Sequence, residues 1–237
     1  MHAFALAAVL AAAPPVQPPA RDPGCLFTDD DPPGTLKYGS YFEPSLFACD
    51  GDRTFYGNWY GRHLQAMGEP SFATAGTKRD YALRVRLIVL PSFTPAYVVR
   101  VDYPAGWTAQ REATLTAVTE TGAGGYGPGQ KVPLWSFTMN PRAAARLSTE
   151  LVRANLATAP RRVHGGTAKD GEIVICADGT SYVLEILSAD MHRVIARHQC
   201  DFEGDPSLVP AFYQLIRDAR LTIPAEIANF MSQSRKD

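Results

Sequence analysis

Apolar and polar side chains alternate from residue 81 to 89: Tyr81, Leu83, Val85, Leu87 and Val89 are interleaved with Arg84 and Arg86. A period of two is the signature of a strand with one face buried. The same alternation returns in Tyr97, Val99, Val101 and Tyr103 against Arg100 and Asp102. It returns again in Ala113, Leu115 and Ala117 against Glu112, Thr114 and Thr116. Proline- and glycine-bearing breaks at 91–95 and 104–107 separate the three runs, and a further run at 132–138 reads as another strand. The pattern predicts an antiparallel meander with one apolar face. Its other face carries Arg84, Arg86, Arg100, Asp102 and Glu112.

The period then changes. Asn140 as N-cap and Pro141 as first helical residue open a helix whose buried stripe is Ala144, Leu147, Leu151 and Val152. Arg146 and Glu150 stand four apart as an ion pair, and Pro160 ends the helix. Runs at 173–175, 182–187 and 193–199 predict a second meander, with turns at Asp178-Gly179 and at 188–190. A final helix turns Leu208, Phe212, Leu215, Ile216 and Ala219 inward. Pro210 falls in its first turn if Ser207 is the N-cap, and beyond Pro224 the side chains Ile227, Phe230 and Met231 can dock. A helix over 55–67 is also indicated, weakened by Gly57 and Gly61 at about 1 kcal/mol each. The expected class is α+β, with antiparallel meanders each followed by a covering helix and no parallel βαβ unit. Residues 34–237 form one domain, divisible into halves at 34–160 and 161–237.

Composition bounds the function. The 237 residues carry 23 Lys plus Arg against 24 Asp plus Glu. A balanced charge disfavours nucleic-acid binding, which needs a basic surface to displace counterions. No apolar run reaches the roughly 20 residues of a membrane-spanning helix. Residues 1–13 (MHAFALAAVLAAA) have the length and apolar character of a secretory signal. Val9 and Ala11 sit where a cleavage site needs small residues, and the stretch 14–33 that follows is a Pro-rich extended arm. The four cysteines form two well-separated pairs, each 24 positions apart, with no C-x-x-C motif. Of three possible connectivities the local one, Cys25–Cys49 with Cys176–Cys200, is expected, at about 3 kcal/mol per bridge. The chain is therefore expected to be periplasmic or secreted.

Candidate chemistry is sparse. Arg84, Arg86 and Arg100 could form an anion-binding face, but Asp102 and Glu112 lie beside them, and a solvated surface of weak ion pairs is the expected state. Residues 122–127 (GAGGYG) match G-x-G-x-x-G. A dinucleotide site would need a helix opening on the last glycine. Pro128-Gly129 and a strand follow instead, so this is a loop, with Tyr126 exposed at its tip as a candidate ligand contact. His63 is expected to be packed or surface-exposed rather than catalytic. The basic stretch 161–167, with His164, reads as a loop. His192 and His198 share a strand face but lie about 20 Å apart, too far for one metal. Glu185 could meet His192 or His198 across neighbouring strands as an acid–base pair, an arrangement more often structural. Asp29-Asp30-Asp31 and Asp50-x-Asp52 lack calcium-loop spacing. No catalytic, metal-binding or cofactor-binding residue is assigned, and the sequence points away from an enzyme.

Leu90-Pro-Ser-Phe93 with Val99-Arg-Val101, the glycine loop 121–129, and Asp178-Gly-Thr-Ser-Tyr-Val-Leu-Glu185 with Arg197 together resemble a family of uncharacterised exported bacterial proteins. That family joins a Gly-Gly-Tyr-x-Pro-Gly loop to a later D-G-x-x-[WY]-x-x-E hairpin. The resemblance covers residues 81–221 and implies the architecture and export but no activity. The expected function is a binding or structural protein of the envelope or the exterior, with another envelope protein as partner. The alternatives are a small hydrolase using Glu185 with a nearby histidine, and a small-anion binder using Arg84, Arg86 and Arg100.

Overall fold

The computed structural model describes residues 37–38, 41–42, 46–47, 50–73, 80–161, 178–202 and 206–233. Among them six strands form one antiparallel sheet: β1 (Tyr81–Pro91), β2 (Tyr97–Pro104), β3 (Ala113–Glu120), β4 (Lys131–Met139), β5 (Thr180–Ser188) and β6 (His192–His198). Their spatial order is β4-β3-β2-β1-β5-β6. The two expected meanders are thus halves of one sheet, joined where β1 pairs with β5 from Leu83↔Ser188 to Pro91↔Thr180. The expected strand at 173–175 lies outside the described residues, as do the leader, the arm and His164.

Among the described residues four helices accompany the sheet: α1 (Asp50–Ala66), α2 (Pro141–Arg153), α3 (Val209–Asp218) and α4 (Ala225–Gln233). α2, α3 and α4 cover one face, where Leu147, Leu151, Phe212, Leu215 and Ile227 meet Leu87, Val101, Leu115 and Ile186. Asn140 caps α2 by accepting a hydrogen bond from the Ala143 backbone N–H at 3.0 Å, as its sequence signature requires. Two details of α2 differ from expectation. Val152 is exposed rather than part of the stripe, and Glu150 pairs with Arg153 while Arg146 reaches Asp218 of α3. At α3 the N-cap is Leu208, not Ser207. The turn Pro206–Leu208 runs straight into the helix and leaves Pro210 in the first turn, where a missing N–H costs nothing. α4 docks through the buried Ile227, with Phe230 and Met231 partly covered.

α1 covers the other face, and this is the main departure from the sequence pattern. Tyr56, Tyr60, Leu64 and Met67 pack on Ile88, Leu90, Val98 and Val183. Gly61 is needed because a Cβ there would collide with the Tyr38 side chain. Positions 84–90 of β1 are all buried. The face carrying Arg84, Arg86, Arg100 and Asp102 is therefore interior to the fold, not a solvated surface; Glu112 alone of that set is exposed and lies before β3. No described helix is long and apolar enough to cross a membrane. No cysteine among the described residues is free. Cys200 is disulfide-bonded and lies in the turn Gln199–Asp201, beyond the end of β6. Cys25, Cys49 and Cys176 lie outside the described residues.

Candidate functional site

Strand register explains why the charged side chains meet. Arg84 stands opposite Asp102, and Arg86 stands opposite Arg100 on one side and Glu185 on the other, so all five share the α1 face. They form a chain of alternating charge. Arg84 Nε donates to Asp102 Oδ1 at 2.7 Å, and Arg100 Nε donates to Asp102 Oδ2 at 3.0 Å. Arg100 Nη1 donates to Glu69 Oε2 at 2.5 Å, and the same carboxylate lies 3.6 Å from Arg86. Arg86 then donates from both Nε and Nη2 to Glu185 Oε2, and Glu185 Oε1 meets His192 Nε2 at 2.9 Å.

The segment following α1 closes this chain from above. Pro70 offers its carbonyl to Arg86 Nη1 at 2.6 Å, and the Phe72 ring lies 4.2 Å from the Arg86 guanidinium and 4.8 Å from that of Arg84. Burial opposes the charge on Arg100, yet Glu69 and Asp102 outweigh it and raise its pKa. Burial likewise raises Tyr41, with Arg86 opposing and Glu69 adding.

The arginines named from sequence are thus brought together, and so are Glu185 and His192. Arg86 and Glu185 have no exposed surface. Three guanidinium groups face three carboxylates, leaving no positive excess to attract a further anion. A general base must reach the proton it takes, and the side chains of Glu185 and His192 are closed to solvent. His198 is not part of this group. It lies at the far end of β6 and accepts from the Cys200 N–H at 3.5 Å. Burial pushes its imidazole below the usual range, against Asp201 and Glu226.

A second buried cluster joins α1 to the glycine loop. His63 Nδ1 lies 2.7 Å from Glu120 Oε1, and His63 Nε2 lies 3.0 Å from the Gly125 carbonyl. That carbonyl is a pure acceptor, so Nε2 carries a proton. Trp59 Nε1 also donates to it at 2.5 Å, and Arg62 bridges it to the Tyr126 carbonyl at 3.2 and 2.8 Å. The sequence offered no sign of Glu120, which ends β3 on the face thought to be solvated. Of the two states expected of His63, packed or surface-exposed, the structure shows the packed one.

The loop so fixed contains the turn Gly124–Tyr126 and leads into a strand, not the helix a dinucleotide site requires. Gly124 has φ +64, and a Cβ there would stand 2.5 Å from the carbonyl oxygens of Pro91 and Ser92. Ser92 in turn binds Gly179: its N–H and hydroxyl donate to the Gly179 carbonyl at 2.9 and 2.8 Å, and Gly179 N–H donates back to Ser92 Oγ at 2.9 Å. Three connections are thereby locked at one end of the sheet. From them Phe93 and Tyr126 stand 76% and 59% exposed, and the Tyr126 hydroxyl donates to Asp178 at 3.4 Å. Tyr126 stands at a different level of the sheet from Arg84, Arg86 and Arg100. Arg86 precedes the Pro91 end of β1 by five residues, about 16 Å along an extended strand. No group of three or more His, Cys, Asp or Glu among the described residues is placed to hold a metal. No protein-family model matches the chain, and no curated protein matches it.

Proposed function

We propose that the chain is an exported protein, periplasmic or secreted, that binds a partner through the loop end of its sheet and has no active site of its own. The exposure of Phe93 and Tyr126 on hydrogen-bonded, glycine-tightened loops carries this reading. Aromatic side chains dominate interface energetics, and presenting them on ordered loops lowers the entropy lost on binding. The resemblance to exported bacterial proteins and the spacing of the cysteines support the compartment, with another envelope protein as the partner class.

Capture from an envelope fraction, using immobilised wild type beside a Phe93→Ala, Tyr126→Ala double variant, tests the surface. A partner retained by the first and lost from the second, at equal melting temperature, is expected; equal recovery by both overturns the assignment. Peptide mapping without reductant, on protein from its native compartment, should recover Cys25–Cys49 and Cys176–Cys200. Four free thiols there would sink both the pairing and the export reading.

The 2.9 Å contact between Glu185 and His192 favours one alternative, a hydrolase. Its burial and the arginine already holding Glu185 weigh against it. The small-anion reading is weakened by the carboxylate matched to each arginine.

A further inference from the structure

The two edges of the sheet differ. Along β6 the outer edge is covered by the chain after α2: Ala196 N–H donates to the Arg161 carbonyl at 2.7 Å, and Arg193 donates to the carbonyls of Ala157 and Ala159. Arg193 thus fastens that covering segment to β6. β4 is bare. Its outer backbone has no partner among the described residues, and all its side chains but Met139 are exposed or half-exposed.

Protection on β4 is confined to its first half, which holds Lys131, Pro133 and the register shift opposite Ala117 and Val118. From Trp135 to Met139 there is no charge and no proline. Trp135 is 41% exposed although its Nε1 donates to the Ala219 carbonyl at 2.5 Å, so the helix end fixes the side chain without covering it.

We propose that this half of β4 pairs with the same strand of a second copy, antiparallel about a two-fold axis at Phe137. Trp135 then stands opposite Met139, Ser136 opposite Thr138, and Phe137 opposite itself. No like charges meet, and both Pro133 residues stay outside the ladder. The apolar face formed by Trp135, Phe137 and Met139 runs on across the axis. An isologous contact is self-complementary and closes at two copies. Growth beyond the dimer has no route through β6, because that edge is already covered.

Sedimentation velocity of the full chain over a wide concentration range tests this beside a Ser136→Lys, Thr138→Lys double variant. Both positions are exposed, so the fold tolerates the change, yet like charges are set directly opposite across the axis. The expected result is a concentration-dependent dimer in the wild type and a monomer at every concentration in the variant, with unchanged melting temperature. A monomeric wild type, a dimer that survives the double substitution, or assembly beyond two copies overturns the proposal.

Discussion

Arg86 sits at zero exposure with its whole guanidinium met: Glu185 and the Pro70 carbonyl bind it, Glu69 lies near, and Phe72 covers its face. Desolvating such an ion costs several kcal/mol, so the pair is weak evidence of net stabilisation, while removing one partner is severe. Arg86→Ala takes from Glu185 its cationic partner, leaves it beside His192, and should cost about 3–5 kcal/mol in denaturant unfolding. For an exposed arginine face, Arg84→Ala together with Arg86→Ala would leave the melting temperature within about a degree or two; burial reverses that expectation. Arg86→Met combined with Glu185→Leu should cost less than the sum of the two single changes, because the stranded charge is gone. A loss under about 1 kcal/mol for Arg86→Ala would mean that water reaches the chain of charges.

The strands and α2 were legible because each reports itself locally, by period two or by the Asn140-Pro141 start. The joining of the two meanders was not. Nothing within β1 distinguishes a strand with one solvated charged face from a strand whose charged face is matched by Glu69, Asp102 and Glu185. Alternation reads the same in both cases, and the difference lies in what covers the strand. That cover is α1 and the segment after it that carries Glu69, Pro70 and Phe72; the glycines of α1 made it look weak, although Gly61 is what allows Tyr38 to lie against it. The Glu120–His63 contact spans 57 positions and depends on the same cover, so it was illegible for the same reason. The glycine loop was read correctly from the strand that follows it. Its locking to Ser92 and to α1 required the tertiary contacts. Of the candidate residues, the sequence named Arg84, Arg86, Arg100, Glu185 and His192 but not that one buried chain of charge unites them.

At the scale of the whole molecule the sheet is held by its central strand. β1 contributes its two edges to different halves of the chain: one to β2, close in sequence, the other to β5, with Arg86 and Glu185 99 positions apart. The apolar core is shared in the same way, since Leu87 and Val89 of the first half belong to one cluster with Leu184, Ile186, Phe212 and Leu215 of the second. A fragment of residues 34–160 would keep β1 to β4, α1 and α2. It would also bare one edge of β1, remove α3 from beneath α2, and leave Arg86 without its principal acceptor. Each of these losses falls on positions buried in the whole chain, and a half-sized domain has little surplus stability to absorb them. The fragment is therefore expected to show no cooperative thermal transition and no near-ultraviolet circular dichroism, whereas the full chain shows both. Adding residues 161–237 in trans should restore part of that signal by supplying β5 and α3. A fragment that melts cooperatively by itself would show that the first half folds as a separate domain and that the β1–β5 junction is a later docking of two finished units.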